Sequence, residues 1–141
     1  MKMSTKGQYA LEAVVDLALH SGSGSLVSLK NIADRRCLSE KYLERIARAL
    51  KKQGILKSVR GAYGGYCLVK SPDELSVKEV LTAVEGELAP VHCLTQESDC
   101  GIPCSLCPTR NTWEDMWETI TDIVGKVTIA DILAREKEME K

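Results

Sequence analysis

The spacing of apolar residues predicts helices in the first part of the chain. Up to Gly54, apolar side chains recur every three or four positions, as on one face of a helix. Ser28 and Ser39 stand where N-caps belong, and the Ser- and Gly-rich residues 21–25 predict a turn. Three helices are expected, over residues 7–20, 28–36 and 39–53. A short turn followed by a helix rich in Arg and Lys is typical of a helix-turn-helix.

After Gly54 the apolar period shortens to two, which indicates β-strands. The alternation predicts strands over residues 55–60 and 66–70, and we call this hairpin, residues 55–70, the wing. Three glycines in the joining segment, residues 61–65, are expected to supply the positive backbone angles of a tight turn. Helix, turn, basic helix and hairpin in this order predict a winged helix-turn-helix.

The second half combines helices with one long segment that has no apolar period. Ser76 and Glu79 have the spacing of a capping box and predict a helix over residues 76–85. The segment over residues 87–108 holds three prolines and four cysteines, and a loop of this length usually has a function. Two further helices are expected, over residues 109–125 and 129–137, with a charged, frayed tail from Glu136.

The predicted fold is therefore mainly α with a small β-hairpin wing: a winged helix-turn-helix plus a long dimerisation helix. The chain divides into a DNA-binding domain, a cysteine-rich loop, and the dimerisation helix with a C-terminal helix. These parts span residues 1–86, 87–108 and 109–141.

An apolar stripe on the helix over residues 109–125 predicts self-association. One small domain can hardly bury the whole stripe, and an antiparallel contact between two such helices produces a symmetric homodimer. Helix-turn-helix proteins use that symmetry to read two half-sites. The stripe consists of Trp113, Met116, Trp117, Ile120, Ile123 and Val124.

The net charge of -1 hides an asymmetry that suggests a polyanionic partner. Residues 1–72 hold 13 basic and 5 acidic side chains, whereas residues 73–141 hold 6 and 15. A solvated charged face or a protein–protein contact would explain a basic helix alone, but the helix-turn-helix and wing together favour double-stranded DNA. Contacts are expected from Lys6, Lys41, Tyr42, Glu44, Arg45, Arg48, Arg60 and Tyr63.

Four cysteines within the 87–108 loop indicate a metal centre. The spacing is Cys93-x6-Cys100-x3-Cys104-x2-Cys107, and thiolates suit an iron–sulfur cluster, zinc or copper(I). Zinc sites usually pair two close C-x-x-C units. This loop has one such unit, which slightly favours an iron–sulfur cluster over zinc. Of the other two cysteines, Cys37 and Cys67, each is expected to be a small buried residue.

Several segments resemble the IscR/NsrR family of bacterial winged-helix regulators. The resemblance is carried by the opening MSTKGQYAL, by SEKYLE before the basic helix, by SVRGAYGGY in the wing, and by CPTRNTW after the loop. The motifs lie in residues 3–11, 39–44, 58–66 and 107–113. The resemblance implies a dimeric, cytosolic regulator, and in many members three cysteines hold a cluster that senses iron–sulfur status, iron or nitric oxide.

Carried onto this sequence, the resemblance implies that Cys93, Cys100 and Cys107 are the three cluster ligands. Some relatives have a histidine as fourth ligand where this chain has Arg110, and nitric-oxide sensors can have an aspartate where this chain has Gln8. Neither residue suits iron, so Cys104 is expected to be the fourth ligand. A 2Fe–2S cluster is the first expectation and a 4Fe–4S cluster the alternative.

These observations predict a transcriptional regulator in which cluster ligation alters operator binding. A nitric-oxide- or iron-responsive regulator and a zinc-stabilised winged-helix adaptor are the alternatives. No stretch reaches the roughly 20 apolar residues of a membrane span, and no signal core is seen, so a cytoplasmic protein without a membrane partner is expected. Without a paired acid and base, a nucleotide loop or a partnered nucleophile, an enzyme is not expected.

Overall fold

A computed structural model describes residues 3–21, 25–97 and 100–140 of the chain. The architecture is mainly helical with one two-stranded antiparallel hairpin, as predicted. The elements are α1 (Thr5–His20), α2 (Leu29–Arg36), α3 (Glu40–Lys52), β1 (Leu56–Val59), β2 (Gly65–Leu68), α4 (Val77–Glu85), α5 (Arg110–Lys126) and α6 (Ile129–Met139). None of the described helices is long and apolar enough to cross a membrane.

The first helix begins two residues earlier than predicted. The Ser4 hydroxyl accepts from the Gly7 N–H at 3.3 Å, so this serine caps the helix and the polar first turn belongs to it. Of the turn expected over residues 21–25, positions 22–24 lie outside the described residues.

The helix-turn-helix forms as expected, with both serine caps in place. Ser28 accepts from the Asn31 N–H at 3.1 Å, and Ser39 accepts from the Tyr42 N–H at 3.3 Å. Cys37, between the helices, has φ 55° and an exposed side chain, so the prediction that it is buried was wrong. Cys37 is the left-handed residue that ends α2. Such a position lies in the turn at the protein surface, so the thiol is exposed.

The wing pairs Leu56 with Leu68 and Val59 with Gly65. The prediction that three glycines supply positive angles was wrong for two of them, since Gly61 alone of the three has a positive φ, at 115°. Gly64 is needed for space, because a Cβ there would lie 2.0 Å from the Val59 carbonyl oxygen. A Cβ at Gly65 would lie 2.8 Å from the Val27 carbonyl oxygen.

One core holds the helices and the base of the wing together. The largest fully buried apolar residues come from every helix except α5 and from the turn before α4. They are Val14, Leu17, Ile32, Leu43, Ile46, Leu50, Leu75, Val80 and Ile129. Cys67 is buried beside this core, as predicted.

The C-terminal helix docks against the winged domain. Ile129 is fully buried, and its N–H donates to the Leu75 carbonyl at 2.9 Å. A capping box between Thr128 and Asp131 starts α6, which continues to Met139, so the helix is longer than predicted. The expected capping box of Ser76 and Glu79 at the start of α4 is confirmed.

Candidate DNA-binding surface and cysteine loop

Helix α3 buries one face and presents a charged face to solvent. Leu43, Ile46, Ala47 and Leu50 are buried, and the opposite side carries five exposed side chains. At helical spacing these form one contiguous stripe: Lys41, Glu44, Arg45, Arg48 and Lys52. In the part of the chain that the structure describes, none of the five forms an ion pair.

The wing stands beside this stripe and exposes its own polar tip. Arg60 is exposed, and Tyr63 is 96% exposed although it is aromatic. The Lys51 ammonium donates to the Ser58 hydroxyl at 2.7 Å and ties α3 to β1. This contact links α3 to the first strand of the wing.

The start of α1 packs against the start of α3 through two tyrosines. The rings of Tyr9 and Tyr42 meet edge to face, with centroids 5.7 Å apart. Tyr42 is therefore half-buried, while the predicted contact Lys6 lies on the first turns of α1 and is also half-buried. Gln8 is exposed on the same helix.

A buried carboxylate connects α1 to the helix-turn-helix, a contact that was not predicted from the sequence. Asp16 is 1% exposed. Arg35 binds it through two donors, at 3.0 and 2.7 Å, and Arg36 donates to it at 3.2 Å. Burial alone would raise the pKa of Asp16, but the hydrogen bonds and charge of Arg35, with smaller contributions from His20 and Arg36, hold that pKa below its usual value. The signal available in the sequence was an acid within the apolar residues 13–19 of α1.

The cysteine loop is not wholly irregular, since two 3-10 turns interrupt it, at His92–Leu94 and Cys104–Leu106. Cys93 and Cys107 are half-buried. Cys100 and Cys104 are exposed. His92, next to a predicted ligand, has an exposed side chain.

Arg110, the first residue of α5, lies among the cysteines. Its Nη1 donates to the Cys93 carbonyl at 3.3 Å, and its Nε donates to Glu114 at 2.9 Å. Its charge also interacts with the thiols of Cys104, Cys93 and Cys107. The Thr109 hydroxyl, followed by the Thr109 and Arg110 backbone, lowers the pKa of the Cys107 thiol, and the Sγ–Oγ1 distance is 3.6 Å.

The donor chemistry of this loop fits a soft metal centre. Four thiols lie in one segment, and the positive charge of Arg110 acts on three of them and offsets the negative charge of thiolates. Over the described ranges, no three Cys, His, Asp or Glu side chains already converge as a metal site. Ligation therefore requires the loop to close around the metal, and the four-cysteine ligand set stays a prediction.

Helix α5 has no buried residue in the isolated chain. Trp113, Trp117, Ile120 and Val124 are half-buried. Ile123 is 58% exposed, and Met116 is exposed beside it. The predicted stripe is thus partly covered within the chain, and Met116 and Ile123 are its exposed members.

A winged helix-turn-helix whose second helix, here α3, exposes a basic face defines a class of DNA-binding regulators. The sequence pattern of the Rrf2 family, described as "Iron-dependent Transcriptional regulator", matches residues 3–135. The chain belongs to this family.

Its relatives are transcriptional regulators rather than enzymes. The chain is 38% identical to the HTH-type transcriptional regulator IscR of Pectobacterium atrosepticum over 139 residues, 99% of this chain and 82% of that protein. It is 36% identical to the HTH-type transcriptional regulator CymR of Bacillus subtilis over 132 residues, 94% of this chain and 89% of that protein. The resemblance to regulators of this kind is confirmed.

Solved structures of the same two kinds of regulator share the fold. T. potens IscR superposes with a TM-score of 0.82 at 36% identity, covering 100% of this chain and 92% of that chain. CymR, named the global cysteine regulator of B. subtilis, gives 0.77 at 32% identity, covering 96% and 98%. The predicted fold class is confirmed.

Proposed function

We propose that this regulator binds operator DNA as a homodimer and that an iron–sulfur cluster on its cysteine loop controls this binding. The observation that carries the proposal is the position of Arg110. This residue begins the long helix α5, and its guanidinium donates to the Cys93 carbonyl of the thiol-bearing loop. Whatever orders the loop therefore acts directly on the start of the dimerisation helix.

The DNA contacts are assigned to the exposed stripe of α3 and the wing tip. Arg and Lys suit guanine and phosphate, and Glu44 can accept from the amino group of cytosine. Arg60 at the wing tip suits a narrow minor groove. Tyr63 lies near it at the same tip, and Lys6 and Tyr42 flank the stripe from the starts of α1 and α3.

The cluster is assigned to Cys93, Cys100, Cys104 and Cys107, with 2Fe–2S as the first choice and 4Fe–4S as the alternative. Arg110 stands where relatives can have a fourth ligand, but a guanidinium stays protonated and binds no metal. When bound, such a cluster supplies a one-electron redox centre. Cys104 is exposed, and the charge of Arg110 acts on its thiol, so Cys104 is accessible to a metal.

The switch follows from coupling between ligation and folding. An ordered loop fixes the end of α4 relative to the start of α5, and thereby sets the distance between the two winged heads of a dimer. A tenfold difference in DNA affinity needs only about 1.4 kcal/mol between the states. The cytoplasm, where thiols stay reduced, is the compartment proposed for this chemistry.

Anaerobic purification followed by iron, sulfide and zinc analysis tests the cofactor. We expect visible charge-transfer absorption with stoichiometric iron and sulfide, lost in Cys93→Ser and Cys104→Ser and kept in the control Cys37→Ser. A colourless protein with stoichiometric zinc would instead identify a zinc-stabilised adaptor.

Fluorescence anisotropy with operator DNA tests the switch. Cluster-bound and cluster-free protein are expected to differ at least tenfold in Kd, and equal affinities on every operator tried would exclude cluster control.

Arg45→Ala and Arg48→Ala are each expected to weaken binding about tenfold, whereas the control Lys137→Ala on α6 leaves it unchanged.

A further inference from the structure

Two of the loop cysteines stand at the ends of a single 3-10 turn. The Cys107 N–H donates to the Cys104 carbonyl at 3.2 Å and closes this turn. Residues three apart in a 3-10 helix are separated by one turn, about 6 Å along the axis. Disulfides span Cα–Cα distances of about 4.4 to 6.8 Å, so the backbone already holds these two residues at a distance that a disulfide can bridge.

The same two thiols lie in an electropositive, accessible setting. Cys104 is exposed and Cys107 half-buried, and Arg110 follows Cys107 by three residues at the start of α5. The Thr109 hydroxyl lies 3.6 Å from the Cys107 sulfur. Reactive cysteines are found in such partly exposed surroundings, beside cations and hydrogen-bond donors.

We propose that Cys104 and Cys107 form a peroxide-sensitive dithiol that closes to an intrachain disulfide when the chain carries no metal. Cys107 is the attacking thiol, because the Thr109 hydroxyl lies 3.6 Å from its sulfur. Cys104 is the resolving thiol. This reactivity goes beyond the proposed regulator function and does not require that the loop ever binds a cluster.

The reaction balances with hydrogen peroxide as the oxidant. The Cys107 sulfur attacks one peroxide oxygen, the O–O bond breaks, and hydroxide leaves and takes up a proton to become water. The sulfur is then a sulfenic acid, oxidised by two electrons. The Cys104 thiol attacks it, the S–O bond breaks, the S–S bond forms, and a second water leaves. The Arg110 guanidinium can donate to the departing oxygen.

The other cysteines allow a clean background for the test. Cys67 is buried, and Cys37 is exposed in a different part of the fold, the turn before α3. The Cys37→Ser chain, reduced and purified anaerobically with a chelator, is treated with one equivalent of hydrogen peroxide. Intact mass and thiol titration in denaturant then report the products.

We expect the loss of two hydrogen atoms in mass and of two titratable thiols, reversed by dithiothreitol. Adding Cys93→Ser and Cys100→Ser together leaves this result unchanged. Adding Cys104→Ser instead stops the reaction at a sulfenic acid on Cys107 that dimedone traps. Retention of the two-thiol loss in the Cys104→Ser chain, or its absence from the Cys93→Ser/Cys100→Ser chain, overturns the proposal.

A second comparison isolates the role of the cation. Arg110→Ala is expected to slow the peroxide step by about threefold or more, while the control Arg135→Ala, an exposed arginine on α6, leaves the rate unchanged. An unchanged rate in Arg110→Ala would overturn the assignment of Arg110. Because every assay uses metal-free protein, failure here is distinguishable from failure of the cluster proposal.

Discussion

Cys37 occupies a backbone position that costs free energy. Among the described residues it alone combines a side chain with a positive φ, at 55°. A left-handed backbone costs an L-residue about 1–2 kcal/mol, and turns between helix-turn-helix helices often place glycine there. The thiol has therefore been accommodated at a site where the backbone favours glycine.

Cys37→Gly is accordingly expected to stabilise the fold by about 0.5–1 kcal/mol, since relief of the backbone exceeds the added freedom of the unfolded chain. Urea unfolding followed by circular dichroism measures this change. Cys37→Ala, which removes the thiol but keeps a side chain, is the matched control and should change little. A lower midpoint for the glycine variant would contradict the argument.

Asp16 joins α1 to the helix-turn-helix through Arg35 and Arg36. Asp16→Asn removes the charge that pairs Arg35 and Arg36 and is expected to cost about 2 kcal/mol near neutral pH. The figure lies below that for a fully buried pair because both arginines are partly exposed. The exposed Asp34→Asn is the control and should leave the unfolding free energy unchanged.

The same carboxylate predicts a pH dependence with a definite sign. Since folding lowers the pKa of Asp16, its contribution is complete above the unfolded value, about 3.9, and is lost as pH falls through the folded pKa. The difference in unfolding free energy between wild type and Asp16→Asn should therefore be constant near neutral pH and shrink below about pH 4. A difference that grows on acidification would refute this assignment.

Among the elements, the wing depends on two glycines, Gly64 and Gly65, that leave room for neighbouring backbone. Gly64→Ala places a Cβ against the Val59 carbonyl at 2.0 Å, which the hairpin cannot accept without moving its backbone. We expect a lower unfolding midpoint and weaker DNA binding, measured by thermal unfolding and anisotropy.

In contrast, Gly125→Ala on α5 meets nothing closer than Lys78 Cδ at 3.7 Å and should stabilise the chain by up to about 1 kcal/mol.

At the scale of the whole molecule, α5 is the helix that the monomer leaves without a buried face. Ile123→Glu adds a charge to a side chain that is 58% exposed, so the monomer should still fold. If a second copy covers this stripe, sedimentation should show loss of the dimer and weaker operator binding. Asp115→Lys, exposed on another side of α5, is the control; a monomeric wild type would rule out this interface.

Much of the fold could be predicted because its signals are local. Ser28, Ser39 and Ser76 cap their helices in the structure as their spacing indicated. The predictions that were wrong depend on contacts between segments. The exposure of Cys37 and the steric role of Gly64 are set by the position of neighbouring backbone. Asp16 was missed because its partners lie in another helix.

The order of the elements, the charged stripe of α3 and the four thiols in one loop follow from local signals in the amino-acid sequence, because periodicity, capping and composition act over a few residues. The folded chain was needed to show that Ile129 belongs to the same core as Leu17, that Asp16 joins α1 to α2, and that Arg110 binds the cysteine loop. Each of these depends on contacts between distant segments, which the packing of the whole chain brings together.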